Sequence, residues 1–255
     1  MSFSLLYQPG NPLILFNIWD AGSARAVAEA GAVALATGSL SVAGALGYDD
    51  GQAVPFDLLL TVVERIRAVS DLPLTVDFEA GYADTPAGVA ENAARLADLG
   101  VVGINLEDGI PPAGGIRPAA EQAALIAAIR ARTALFINAR TDLFLQNPTD
   151  AHPGLMDQAI DRAGIYAQAG ANGFFVPGLV DPDLIAAVCR QSPLPVNIMK
   201  SPAAPSIDEL AGLGGARISF GPFPWWAAMA GLGQAFRDQT SGSGPTGVDV
   251  PRAGR

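Results

Sequence analysis

An α/β fold, a (β/α)8 barrel, is what this sequence predicts, and three observations predict it. Short apolar runs recur eight times within about 220 residues and alternate with stretches of helical periodicity. The notable acids, amides and arginines sit at the C-terminal ends of those runs. No glycine-rich phosphate turn follows the first run: Trp19-Asp20-Ala21-Gly22-Ser23 is not GxGxxG, which disfavours a doubly wound open sheet.

Taken in order, the first strand is expected over Leu13–Ile18 and the first helix over Ser23–Ala30, ending at Gly31. Strand two spans Val33–Thr37. The segment Thr37-Gly38-Ser39-Leu40-Ser41 behind it reads as a flexible turn of free N–H and hydroxyl donors. Helix Phe56–Ser70 leads to strand Leu74–Phe78. Helix Pro86–Leu99 opens on proline, closes on Gly100, and leads to strand Val102–Leu106. The pattern continues with helix Pro118–Ala131, strand Leu135–Ala139, helix Leu155–Ala169 before Gly170, and strand Gly173–Val176. Helix Pro182–Cys189, strand Pro195–Ile198, helix Ile207–Leu213, strand Arg217–Phe220 and helix Pro224–Phe236 complete it. The phrases Glu29-Ala30-Gly31-Ala32, Asp98-Leu99-Gly100-Val101 and Gln168-Ala169-Gly170-Ala171 repeat one helix-to-strand hinge. Adjacent Trp225 and Trp226 cannot share one narrow apolar stripe, so packing on the chain's own barrel and contact with a second subunit both stay open. One domain is expected over residues 1–238, followed by a flexible tail rich in Gly, Ser and Pro over 239–255.

At 255 residues the chain can bury a sizeable core, and with half its residues apolar and 16% charged it is far from a disordered composition. A net charge of −10 argues against nucleic acid and anionic membranes as partners, though one local cation still suffices for an anionic substrate. No apolar run approaches the roughly 18 residues of a membrane span. The single cysteine, Cys189, excludes an internal disulfide. A cytoplasmic protein is the expectation.

The acids carry the chemistry. In Val76-Asp77-Phe78-Glu79 and Ile104-Asn105-Leu106-Glu107, polar side chains two residues apart share one face of a strand end, and Asp108 follows Glu107. Carboxylates on neighbouring strand ends, without Cys or His, form an all-oxygen set suited to Mg2+ or Mn2+. Helix caps or rim ion pairs would use the same acids. Arg140, ending Ile137-Asn138-Ala139-Arg140, can grip a carboxylate or phosphonate through two N–H groups, or pair with Asp142 or Glu107.

These motifs resemble the isocitrate lyase/phosphoenolpyruvate mutase superfamily. The resemblance rests on Asn17-Ile18-Trp19-Asp20-Ala21-Gly22-Ser23-Ala24, Leu46-Gly47-Tyr48-Asp49-Asp50-Gly51 and Val76-Asp77-Phe78-Glu79-Ala80-Gly81-Tyr82. Gly103-Ile104-Asn105-Leu106-Glu107-Asp108, Asn138-Ala139-Arg140-Thr141-Asp142 and Phe175-Val176-Pro177-Gly178 extend it, in order, over nearly the whole chain. It implies a Mg2+-dependent barrel, a homotetramer with its last helix exchanged between subunits, acting on a 2-oxo or 2-hydroxy carboxylate through an enolate. C–C bond cleavage or hydrolysis is the leading reaction, with P–C chemistry on a phosphonate, or binding without turnover, as the alternatives. The resemblance makes Asp77 the direct metal ligand and has Glu79 and Glu107 hold metal-bound waters. Asp50 is the acid beside the substrate and Arg140 contacts the carbonyl side or the transferring group. Gly38, Ser39 and Leu40 cradle the C1 carboxylate, with Trp19, Asp77 and Asn197 among the substrate-binding residues.

One departure stands out. The lyases of this family carry a Cys-containing motif after strand four, and the phosphonate enzymes carry a Lys- and Asn- or Thr-containing gate. Here the segment is Gly109-Ile110-Pro111-Pro112-Ala113-Gly114-Gly115-Ile116-Arg117, without Cys, Lys, His, Ser, Thr or Asn. Cys189 is expected to be packed in a helix. Lys200, the only lysine, ends strand seven, where it is either a Schiff-base nucleophile or a solvated loop residue.

Overall fold

The structure, a computed structural model, describes residues 3–240. Beyond Thr240 the expected tail lies outside the described residues. Every strand pair is parallel, in the order β1-β9-β8-β7-β6-β5-β4-β3-β2. The strands are β1 (Leu13–Leu15), β2 (Asn17–Ile18), β3 (Leu35–Thr37), β4 (Leu74–Asp77), β5 (Gly103–Glu107), β6 (Phe136–Arg140), β7 (Gly173–Phe175), β8 (Val196–Met199) and β9 (Arg217–Ser219). β1 and β2 are two pieces of the single first strand expected from sequence, interrupted at Phe16. Leu13 registers with Arg217 on one side and Asn17 with Ala36 on the other, so the sheet curls into a nearly closed barrel.

The helices are α1 (Ala21–Glu29), α2 (Ser39–Leu46), α3 (Phe56–Arg67), α4 (Pro86–Asp98), α5 (Ala119–Arg132), α6 (Met156–Gln168), α7 (Pro182–Gln191), α8 (Ile207–Gly212) and α9 (Phe223–Thr240). Helix α3 turns Leu59, Leu60, Val63 and Ile66 inward, and α4 turns Val89, Ala90, Ala93 and Leu96 inward, each at helical spacing. Side-chain caps fix the starts. Asp20 accepts from Ser23 N–H on α1, Thr85 from Gly88 N–H on α4, and Ser206 with Glu209 forms a capping box on α8.

One expectation is corrected. The turn expected after strand two is instead the start of helix α2, with Gly38 at its N-cap and Gly47, at φ +79°, closing it. Glycine is required at Gly81, where φ is +104° and a Cβ would meet Val89 Cγ1 at 2.6 Å.

The lower end of the barrel is closed by Phe3 and Tyr7 packed on Phe136, with the buried Arg217 donating to the Tyr7 hydroxyl at 2.7 Å. The last helix is different from the others. Of α9, only Pro224 is buried, while Trp226, Met229, Leu232 and Phe236 stand exposed. Among the described residues, no helix is long and apolar enough to cross a membrane.

Candidate active site

The C-terminal strand ends surround a cavity of about 330 Å3. Its two halves differ in kind. One is polar: Asn17, Ser39, Asp50, Asp77, Asn105 and Arg140. The other is apolar, built by Leu145, Phe175, Pro177, Met199, Phe223 and Trp226.

Asp77 ends β4 beside the first turn of α2. Its N–H donates to Thr37 Oγ1 at 2.9 Å, and its Oδ2 accepts from Ser39 N–H at 3.2 Å. The carboxylate therefore sits at a helix N-terminus, where free N–H groups favour negative charge. Its Oδ1 is buried without a hydrogen-bond partner. Such an oxygen is costly to leave bare and suits a cation ligand.

Glu79 is held by backbone geometry that other residues avoid. Gln52, Glu79 and Tyr82 all have left-handed φ, at +62°, +48° and +55°. They lock together: Glu79 Oε2 accepts from Gln52 N–H at 2.6 Å, Glu79 Oε1 accepts from the Tyr82 hydroxyl, and Gln52 Oε1 accepts from Tyr82 N–H. Burial pushes the Glu79 carboxyl up to about 7, with Asp77 and Asp50 adding to the rise. Glu107, ending β5, pairs with Arg140 at 2.8 Å. Burial still pushes it up to about 8, helped by Asp142, Asp77 and Glu79. Asp50, on the cavity wall, is also raised, first by burial and then by Asp77.

Arg140 faces this group of acids. Its Nε and Nη2 fork onto Asp142 at 2.6 and 3.1 Å. Burial alone would lower its pKa, but Glu107, Asp142 and Asp77 hold it above the ordinary arginine value. Counting donors, one N–H on each Nη remains for a ligand. Beneath it, Asp108 Oδ1 accepts from Asp142 N–H at 2.9 Å, and Oδ2 accepts from Arg162 at 2.9 Å and Tyr166 at 2.8 Å. Asp108 is thus the anchor of the Arg140 clamp and turns away from the cavity.

Of the residues singled out from sequence, Gly38, Ser39, Leu40, Asp50, Asp77 and Arg140 line the cavity together. Glu79 and Glu107 stand behind Asp77 and Arg140, engaged as described. Trp19 packs edge-on against Trp225, with ring centroids 5.1 Å apart, while Trp226 lines the cavity. Asn197 lies under the floor, its Nδ2 donating to Ile198 O, Arg217 O and Ser219 Oγ. Lys200 Nζ donates to Ser201 O at 2.8 Å and Ala204 O at 3.0 Å, away from the lining. Burial pushes the Cys189 thiol up to about 11, which keeps it protonated and unreactive at neutral pH.

The segment after Asp108 folds back on itself. Gly114 N–H donates to Ile110 O at 2.7 Å, Gly109 bridges Ile116, and Gln146 clamps Gly115 by both its N–H and its carbonyl.

Among the described residues, no group of three or more His, Cys, Asp or Glu converges closely enough to hold a metal alone. The donor set that remains is one free carboxylate oxygen on Asp77, backed by two acids at greater remove. It fits Mg2+, which keeps several waters and shares its sphere with ligand oxygens. It does not fit a cation needing a full protein cage.

Sequence reasoning missed Asn105 as a lining residue and the whole apolar half. Asn105 was visible in its strand-end motif; Leu145 and Pro177 lie in loops, Phe223 opens α9, and none of the three carries a polar signal.

Comparisons with known proteins point to one family. A sequence profile of the phosphoenolpyruvate phosphomutase family matches residues 3–240. An uncharacterized protein of Mycobacterium tuberculosis is 34% identical over 95% of this chain and 90% of its own. The 2-methylisocitrate lyase of Escherichia coli is 32% identical over 86% of this chain and 76% of its own. A Burkholderia cenocepacia structure, provisionally designated a phosphonomutase, is 49% identical, covers 93% of this chain and 96% of its own, and superposes with a TM-score of 0.89. A phosphonopyruvate hydrolase bound to oxalate and Mg2+ shares the fold at 20% identity and a TM-score of 0.84, over 98% of this chain and 92% of its own. With that profile matched over residues 3–240 and a 2-methylisocitrate lyase 32% identical over 86% of this sequence, the chain belongs to the isocitrate lyase/phosphoenolpyruvate mutase superfamily.

Proposed function

We propose that this chain is a Mg2+-dependent enzyme that cleaves or hydrolyses a C–C bond in a 2-oxo or 2-hydroxy carboxylate. The observation that carries the reading is Asp77 Oδ1, buried and unpartnered at the cavity wall. Asp77 would hold the cation directly, with Glu79 and Glu107 holding its waters. A divalent cation bound there supplies Lewis-acid stabilisation of the negative charge that develops beside the substrate carboxylate.

The rest is done by the chain's own groups. Leu40, in the first turn of α2, would offer its backbone N–H to the C1 carboxylate, next to the Ser39 N–H that Asp77 already holds. Arg140 offers its two remaining N–H groups to the carbonyl side or the departing fragment. Asp50 is the proton-handling group. Burial beside Asp77 brings its pKa nearer to the working range of a general base. The folded-back segment 109–117 supplies no acid or base, so proton transfer falls to Asp50.

Asp77→Ala should abolish both Mg2+ binding and turnover; turnover that persists in excess chelator would refute the reading. P–C chemistry is the second reading, favoured by the 49% identity to the designated phosphonomutase. Release of inorganic phosphate from phosphonopyruvate separates the two.

The assembly belongs to the same proposal: a homotetramer exchanging α9. On α9, Trp226, Met229, Leu232 and Phe236 fall on one helical face and are exposed by 48, 37, 65 and 69%. A groove lined by Leu5, Ile14, Phe16, Val27 and Val33 lies open on the outside of the barrel, and a partner's α9 would cover it.

A further inference from the structure

We infer that Asn105 binds substrate, its side-chain amide nitrogen donating to an oxygen of the bound oxo or hydroxy acid beside Asp77. The inference rests on the proposed function and adds a contact to it.

The argument is one of forced orientation. Asn197 presents one side-chain atom to two backbone carbonyls, Ile198 O at 3.0 Å and Arg217 O at 3.3 Å. Carbonyls only accept, so that atom is Nδ2 and the opposite atom is Oδ1. Asn197 Oδ1 lies 3.0 Å from Asn138, which must therefore turn its own Nδ2 towards it. The same Asn138 Nδ2 lies 2.9 Å from Asn105, which must answer with its Oδ1. Both hydrogens of Asn138 are then used, and the orientation of all three amides follows from two fixed carbonyls.

The end of this chain of amides is the informative part. Asn105 is 4% exposed, yet it lines the cavity. Its oxygen is taken, and the nitrogen at the other end of the amide has no partner within the protein. That nitrogen opens onto the polar cavity, where an amide N–H2 can only donate, to water or to an acceptor atom of a ligand. In the sheet register Asn105 lies directly between Asp77 and Asn138. Its donor thus addresses the same region as the bare oxygen of Asp77. Because the network fixes this end as a donor, it selects an acceptor: a carboxylate, oxo or hydroxyl oxygen, and not an ammonium.

The test is calorimetric titration of the full chain with oxalate at saturating Mg2+, comparing wild type with Asn105→Asp and Asn105→Ser. Aspartate keeps the acceptor for Asn138 and the side-chain shape, but removes the donor facing the cavity. Oxalate affinity should fall about 10-fold or more in both variants. Mg2+ affinity measured without oxalate should survive in Asn105→Ser. Oxalate binding within twofold of wild type in either folded variant overturns the inference and leaves the functional reading standing. Wild type that binds no oxalate with Mg2+ overturns both.

Discussion

The clearest energetic prediction concerns Arg162, which never reaches the cavity. Its guanidinium lies 2.9 Å from Asp108 Oδ2, and the two side chains are 6% and 0% exposed. Arg162→Met keeps the apolar volume and strands a buried carboxylate. Breaking one side of such a pair costs about 3–5 kcal/mol. Two features favour the lower end. Asp108 keeps donors from Tyr166 and Asp142, and Arg162 Nε is itself buried without a partner. We therefore expect a loss of about 3 kcal/mol, or roughly 6–12 °C in Tm for a chain of this size. The stranded Asp108 can escape by taking up a proton, since burial already raises its pKa. The deficit should thus be larger at pH 8 than at pH 5. The assay is urea denaturation at fixed protein concentration, with Arg132→Met as control. That variant removes an ion pair whose partners, Arg132 and Glu91, are 51% and 54% exposed, and it should cost under about 1 kcal/mol. If Arg162→Met is no more harmful than Arg132→Met, the Asp108 anchor does not support the Arg140 clamp as argued.

Three further outcomes follow from the same structure. Glu79 and Glu107, raised by burial from 4.5 to about 7 and about 8, bind more protons when folded than when unfolded. Metal-free protein should therefore be most stable below about pH 4.5 as far as these groups are concerned, and should lose that contribution as pH rises through 7 to 8. Melts should show Mg2+ restoring more Tm at pH 8 than at pH 5, and a uniform Mg2+ effect would contradict this. The apolar half of the cavity should prefer 3-isobutylmalate to its near-isostere isocitrate, and Leu145→Lys, at an exposed rim position, should narrow or invert that preference in competition binding. Leu232→Asp, at 65% exposure, should leave the barrel folded and shift light-scattering mass towards smaller species, whereas unchanged mass would remove α9 from the interface.

Much of this architecture can be read from sequence because a parallel barrel separates its signals. Interior strands are apolar for most of their length, so Asp77, Glu107 and Arg140 stand out at their ends, and barrel topology alone brings those ends together. Helix α2 stayed hidden because Gly38, Ser39 and Ser41 imitate a turn, and its eight residues are too few to show a periodicity. The amide chain through Asn197, Asn138 and Asn105 needs strand register, which no local pattern encodes. The division of the two tryptophans, Trp225 against Trp19 and Trp226 at the cavity, depends likewise on tertiary packing. The apolar half stayed silent because Leu145 and Phe223 look like ordinary loop and core residues until their exposure is known.

The central claim is that Asp77 and its neighbours hold Mg2+ and an oxo acid together. A thermal-shift titration tests it most directly, with pyruvate, oxaloacetate, 2-oxoglutarate and phosphonopyruvate each measured with and without Mg2+, on wild type and Asp77→Ala. A ligand that binds only the folded state raises Tm whether or not it reacts. The account predicts a rise with at least one compound that needs Mg2+ and vanishes in Asp77→Ala. A rise independent of Mg2+, or one that survives Asp77→Ala, would contradict it.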